Sequence, residues 1–289
     1  MIRLGLAVLV RALADLWDNL FVIVVANLIW GCSLVPGLGL ANLIGGAPGV
    51  IVGVVLIVLL AGPATLALYH LTVEVTRQER LEFGEYWRCI KTHYRRGWIA
   101  ALLNVVFIVI TVVNFIFYSS ASFANTPVAF LLYLWGYIAF TWFCMQLYLW
   151  PLTERMEEFR ISLLLRNLVL ATFKYPFFTL VIGVVMALFF ALSFWLSFLP
   201  LIIFGMGYHA LVSNRALSVV LQQERNKANT IEQQGGTASN YQVDVPPLPE
   251  KKQPEEDAIY STRNAPPGVK RRGSINETEN NKNGGQSQS

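Results

Sequence analysis

The chain has 289 residues, 55% of them hydrophobic and 14% charged, with a formal net charge of +4. An ordinary soluble domain carries about 25% charged residues, so a water-soluble globule is excluded. Apolar runs without period-two alternation exclude a membrane β-barrel, and the basic residues sit in short blocks beside the acidic ones, which argues against a nucleic-acid partner.

In chain order, MIRLGLAVLVRALADLWDNL comes first. Leu4, Val8, Leu9, Leu13, Leu16 and Trp17 share a broad apolar face of a helix, while Arg11, Asp15 and Asp18 interrupt the hydrophobic stretch. This predicts an amphipathic helix lying at the inner membrane surface and not a cleaved signal peptide. Beyond it, the runs 49–73, 98–118, 128–150 and 176–213 hold no Asp, Glu, Lys or Arg. Each is long enough to cross a hydrocarbon core of about 30 Å as a helix.

The 22 Lys and Arg fall in four blocks: Arg3 and Arg11, six from Arg77 to Arg96, four from Arg155 to Lys174, and ten after Ser213. Around 36–48, 119–127 and 196–200 there is no charge. Positively charged connections stay inside and uncharged ones cross, which demands an even number of spans. The expected fold is an all-α, polytopic transmembrane bundle of about six spans in three hairpins with inner-surface helices. The spans lie near 20–40, 50–72, 98–118, 128–150, 177–195 and 199–214, with both termini cytoplasmic. Pro200 supplies the break inside the last pair. Five spans is the alternative, and it would leave Arg215, Arg225 and Lys227 outside.

Three ungapped segments are alike: RALADLWDNLFVIVVANLIW from Arg11, RCIKTHYRRGWIAALLNVVF from Arg88 and RNLVLATFKYPFFTLVIGVV from Arg166. The hairpin ends also match, as LYHLTVEV (68–75), LYLWPLTE (147–154) and GYHALVSN (207–214). Three parallel units, each a surface helix followed by a hairpin, is one reading. The other is the general preference for Arg and Tyr at interfaces.

Gly62 and Pro63 predict a bend in the second span, which shapes either a cavity or a packing contact. Asn27 and Asn104 are buried amides that must either bond across helices or line a small hydrated cavity. Asn114 joins them as a polar group within a span. Gly45, Gly49 and Gly53, spaced by four, permit close helix approach. His70 and Glu74 share a helical face, and with His209 of the second Tyr-His pair they form an interfacial polar cluster. Three residues of this kind fall short of a metal constellation, so no metal, cofactor or catalytic residue is expected. His93 reads as surface, Trp98 and Trp150 as interface markers, and Cys32, Cys89 and Cys144 as free thiols. No ionised residue lies within a span, which disfavours an ion-coupled pump. From about Gln222 the chain is polar and Pro-rich, predicting a disordered cytoplasmic tail over 222–289 and a transmembrane domain over 1–221.

Asn27-Leu28-Ile29-Trp30, then Gly62-Pro63-Ala64-Thr65-Leu66-Ala67-Leu68-Tyr69, then the segment RLEFGEYWRCIKTHYRRGW, resemble the YesL-type bacterial membrane proteins. The chain departs from that pattern between Pro36 and Leu60, where it carries extra apolar residues. The resemblance implies a multi-pass protein of the bacterial inner membrane with no assigned reaction, associated with carbohydrate-uptake systems. The expectation is therefore a non-enzymatic protein accessory to solute uptake, with the bilayer and a membrane transport complex as partners and a homo-oligomer left open. A small-solute transporter or channel-like carrier is the alternative.

Overall fold

The computed structural model describes residues 2–77, 83–119 and 130–233. The predicted tail from 234 onward therefore lies outside the described residues. In chain order the elements are α1 (Ile2–Asp18), α2 (Leu20–Ile44), α3 (Gly46–Arg77), α4 (Phe83–Tyr118), α5 (Phe130–Arg155), α6 (Ile161–Lys174), α7 (Pro176–Trp195), a π segment (Leu201–Gly205) and α8 (Met206–Gln233). All described residues belong to one compact unit. Among them every regular element is helical. Five helices, α2, α3, α4, α5 and α7, are long and apolar enough to cross a membrane. The stretch expected as a sixth span, 199–214, forms the π segment and the first turns of α8, which runs on past 222 to Gln233. The boundary drawn at 221/222 thus falls inside a helix.

A short helix, a backbone break and a long apolar helix follow one another three times. The breaks are Asn19 (φ −120°, ψ 27°), His93 (φ −114°, ψ 16°) and Tyr175 (φ −127°, ψ 63°). They lie within four residues of equivalence in the aligned segments, so the change of direction recurs although the residue that makes it does not.

On α1, Gly5, Val8, Leu9, Ala12 and Leu16 are buried, whereas Ile2, Leu6, Val10, Leu13 and Trp17 are exposed. Two apolar stripes stand side by side, one packed on α7 and α8 and one free to meet lipid. Leu13 and Trp17 belong to the second stripe, not to the protein-facing side. Arg215 on α8 pairs with Asp15 through both guanidinium nitrogens that face it, Nη2 at 2.6 Å, and this fixes α1 to the bundle.

The core sits at the charged end. Burial is nearly unbroken over 61–75 of α3, 144–153 of α5 and 205–217 of α8, and these three stretches pack on one another. The other end of the bundle, including Val50–Leu60 and Leu102–Phe117, presents large apolar side chains outward. That is the surface a hydrocarbon solvent requires.

Close backbone approach positions the first three long helices. A Cβ on Gly53 would meet the Gly37 carbonyl at 2.7 Å, and one on Gly49 the Ala41 carbonyl at 2.6 Å, so α2 and α3 pack through small residues. Gly45 departs from that role, because with Gly46 it makes the turn between them at φ +67° and +58°. Where α3 crosses α4, a Cβ on Gly97 would lie 2.8 Å from Pro63 Cα. Gly97→Leu is expected to force this crossing apart and lower stability in detergent by about 1–3 kcal/mol. Gly136→Leu, at a position with no atom within 4 Å of an added Cβ, serves as the neutral comparison in the same unfolding measurement.

The polar half of α8 is held to α6 and the 175 break. Glu224 accepts hydrogen bonds from Lys174 and Tyr175, and Lys227 Nζ lies 3.6 Å from its Oε1. Burial works against the charge on Glu224, but the bonds from Lys174 and Tyr175 and the charges of Lys174 and Lys227 outweigh it. Its carboxyl is therefore held below the ordinary value of 4.5. A carboxylate depressed by folding stabilises the native state above its ordinary value and loses that contribution as pH falls through the folded value. Amides of 220–233 are accordingly expected to exchange faster below about pH 4, and Glu224→Gln is expected to abolish that pH dependence.

Candidate functional site

Two groups of polar residues are built where the helices meet. The first lies around the Gly62–Pro63 bend. Proline at 63 removes the N–H that would bond the Leu59 carbonyl, and the indole Nε1 of Trp98 donates to that carbonyl at 2.8 Å instead. Thr65 bonds the Ala61 carbonyl at 2.7 Å within α3 and accepts from Trp30 Nε1 of α2 at 2.8 Å. Tyr86 Oη donates to the Ala64 carbonyl at 3.3 Å. The bend is thus a crossing point packed from both sides by α2 and α4.

Asn27 is fully buried. Its amide donates to the carbonyls of Leu201 (3.1 Å) and Ile202 (2.6 Å) and accepts from the Gly207 N–H at 3.0 Å. A π segment shifts the helical bonding register, and one carboxamide serves the backbone groups at its two ends. Asn104 bonds the Ala100 carbonyl at 3.1 Å and accepts from Trp142 Nε1 at 3.2 Å, so it ties α4 to α5. Asn114 is exposed and bonds only back to Ile110, at 2.7 Å. Gly62 and Pro63 thus fasten α3 to α4, Asn27 fastens α2 to the π segment and the start of α8, and Asn104 fastens α4 to α5. A cavity of about 100 Å³ lies elsewhere, an apolar hollow between α5, α6 and α7 lined by residues such as Tyr137, Cys144, Phe173 and Thr179.

The second group is at the charged end of α3. His70 Nδ1 lies 2.9 Å from Glu154 Oε1 of α5, and its Nε2 lies 3.8 Å from Glu74 Oε1 one turn along. Glu85 on α4 brings a third carboxylate close, with one ligand atom each of His70, Glu74 and Glu85 within 4.8 Å of one another. His209 does not join them. It is buried on the other side of α3, where its Nδ1 is 2.7 Å from Tyr69 Oη, and Tyr69 stacks on Trp150 with ring centroids 6.1 Å apart. The Tyr-His pairs of α3 and α8 are alike in sequence but face different neighbours. Trp150 is likewise a core residue and not an interface marker. His93 is half-buried, with Nδ1 3.9 Å from Cys89 Sγ, so it turns inward instead of lying on the surface.

Below this layer, Asn214 of α8 donates to the Tyr69 carbonyl at 3.0 Å and to Thr72 Oγ1 at 2.8 Å. Arg155 reaches Asn214 and Ser218 at 3.3–3.4 Å. Arg96 donates to the carbonyls of Met156 (2.6 Å) and Glu157 (2.8 Å). Sequence reasoning singled out His70 and Glu74 and missed Glu85 and Glu154. The available signal was the i, i+4, i+8 spacing of Glu85, Cys89 and His93.

Because Asn27 bonds three backbone groups, Asn27→Ala is expected to leave them unpaired and destabilise the bundle by several kcal/mol, about 1–3 kcal/mol or more for each group that finds no new partner. Asn104→Ala, which removes one bond between helices, is expected to cost closer to about 0.6 kcal/mol. Reversible unfolding in mixed micelles distinguishes the two.

The comparisons with known proteins bear on the first group. No curated protein matches the chain, and no solved structure does. Residues 23–115 match the model of a family described as "Protein of unknown function, DUF624". That interval covers nearly all of α2, the whole of α3 and most of α4, with Asn27, Trp30, the Gly62–Tyr69 stretch and Trp98 inside it. Over residues 23–115 the chain is thus similar to the YesL-type membrane proteins of unknown function, the family its Asn-Leu-Ile-Trp and Gly-Pro-Ala-Thr motifs resemble.

Proposed function

We propose that this chain is a non-catalytic membrane protein that serves a solute-uptake system as an accessory factor, engaging a membrane transport complex at its charged face. In this reading it crosses the bacterial inner membrane six times in three hairpins, with 199–214 as the last span and both termini cytoplasmic. Uncharged turns at 45–46 and 196–200, set against charged links at the opposite ends of the helices, support paired crossings.

The observation that carries the reading is the use made of the intramembrane amides. A pathway for a polar solute needs polar groups left open to water or cargo. Asn27, Asn104 and the Gly62–Pro63 bend are instead committed to contacts between helices. One surface open to a partner is the start of α4, where Trp87, Arg88, Lys91, Tyr94 and Arg95 are exposed together. A cationic and aromatic patch of this kind suits an interface beside anionic headgroups.

Reversing the charge at Arg88, Lys91 and Arg95 is expected to abolish co-purification of transport-complex subunits with the tagged chain while leaving its elution in detergent unchanged. Flux of sugars or other small solutes through liposomes holding the chain alone would replace this reading with that of a carrier.

A further inference from the structure

At the charged end of the bundle, α3, α4 and α5 bring together side chains that helical spacing alone already aligns. His70 and Glu74 are one turn apart on α3. Glu85, Cys89 and His93 are at i, i+4 and i+8 on α4, and Glu154 comes from the end of α5. We propose that His70, Glu74 and Glu85 form a binding site for a divalent transition-metal cation of the zinc class, with Glu154 as the residue that positions His70.

The geometry supports each role. Glu154 Oε1 lies 2.9 Å from His70 Nδ1. A carboxylate there accepts the Nδ1 proton and leaves the lone pair of Nε2 directed at the other side of the ring. Metal-bound histidines are held in this way by a carboxylate behind them. On the side where Nε2 points stand Glu74, at 3.8 Å, and Glu85. The three ligand atoms lie within 4.8 Å of one another. Zinc bonds of about 2.0–2.2 Å bring tetrahedral ligands somewhat closer than that, and side-chain rotation supplies the difference.

The second oxygen of Glu154, Oε2, is buried and has no hydrogen-bond partner among the described residues. Arg88 pairs with Glu85 at the exposed edge of the cluster, and Arg96 is bonded to the carbonyls of Met156 and Glu157. Mixed imidazole and carboxylate donors favour zinc-like ions over calcium or magnesium, which take oxygen. Side-chain exposures of 28% for His70 and 14% for Glu74 leave the cluster shielded yet open to an entering ion. Three protein ligands with one position for water describe a labile site more than a closed structural one.

The experiment uses the full-length chain, purified in detergent and stripped with EDTA, then titrated with zinc by calorimetry and with cobalt(II) by absorption. About one equivalent is expected to bind, with cobalt bands of a four-coordinate N/O site. His70→Ala and Glu85→Gln are expected to lose binding. Glu154→Gln is expected to weaken it by about 10–100-fold, as for a residue behind a ligand, and His209→Ala to leave it unchanged. Glu85 is partly exposed, so its variant remains informative if His70→Ala fails to fold. Absence of stoichiometric binding overturns the proposal, as does binding that survives both His70→Ala and Glu85→Gln. Neither result touches the accessory role, which is read from partner recovery.

Discussion

A backbone carbonyl released inside an apolar layer has no water to turn to, and this chain releases several. Proline at 63 frees Leu59, and the π segment disturbs the bonding of Leu201, Ile202 and Gly207. Trp98 answers the first and Asn27 the second. Both partners come from other helices, so satisfying the backbone also locks α3 to α4 and α2 to the start of α8. With one unsatisfied group costing several kcal/mol in lipid, these bonds define which helices are neighbours. The motif residues Asn27, Trp30, Gly62, Pro63 and Thr65 therefore fasten an irregular fold.

That fastening explains the unequal burial along the molecule. Lipid tails are as apolar as leucine, so helices gain little by hiding aliphatic side chains from them. The outer halves of α3 and α4 accordingly remain exposed. At the charged end, polar side chains hold α3, α5 and α8 together, through Asn214 to Tyr69 and Thr72, Tyr69 to His209 and Arg155 to Ser218. The result is a firm base beside the interface carrying helices whose far ends are held mainly by small-residue contacts such as Gly37 with Gly53.

Much of the helix order was legible in the residues because hydropathy reports directly on what lipid tolerates. The starts of α2, α5 and α7 and the break near Pro200 lie within about two residues of their expected places. The charged ends were not legible. A hydropathy reading stops at the first ionised residue, yet α3 continues through Glu74 to Arg77, α5 to Arg155 and α8 to Gln233. Several of those charges meet a partner from a distant segment, as Arg215 meets Asp15 and Glu224 meets Lys174. Local pattern also misled at the two Tyr-His pairs. Their likeness suggested that His70 and His209 share a site, but facing is set by how α3 and α8 rotate against their neighbours. His70 looks toward α4 and α5, whereas His209 looks at Tyr69.

The polar cluster at His70 shows how far a family signature can reach in physical terms. His70, Glu74 and Glu85 lie inside the segment 23–115 that matches the family, but Glu154 lies outside it. The first three can be placed by two helices of one hairpin-sized unit, since α3 and α4 are consecutive and cross tightly at Gly62 and Gly97. Which imidazole nitrogen is left available is decided by α5, and α5 is held there by Asn104 to Trp142 and by Arg96 to the carbonyls that follow it. The chemistry of the cluster is therefore a property of the packed domain and not of the signature segment: a chain with the same α3 and α4 but a different residue at 154 would keep the carboxylates and lose the group that orients the ring.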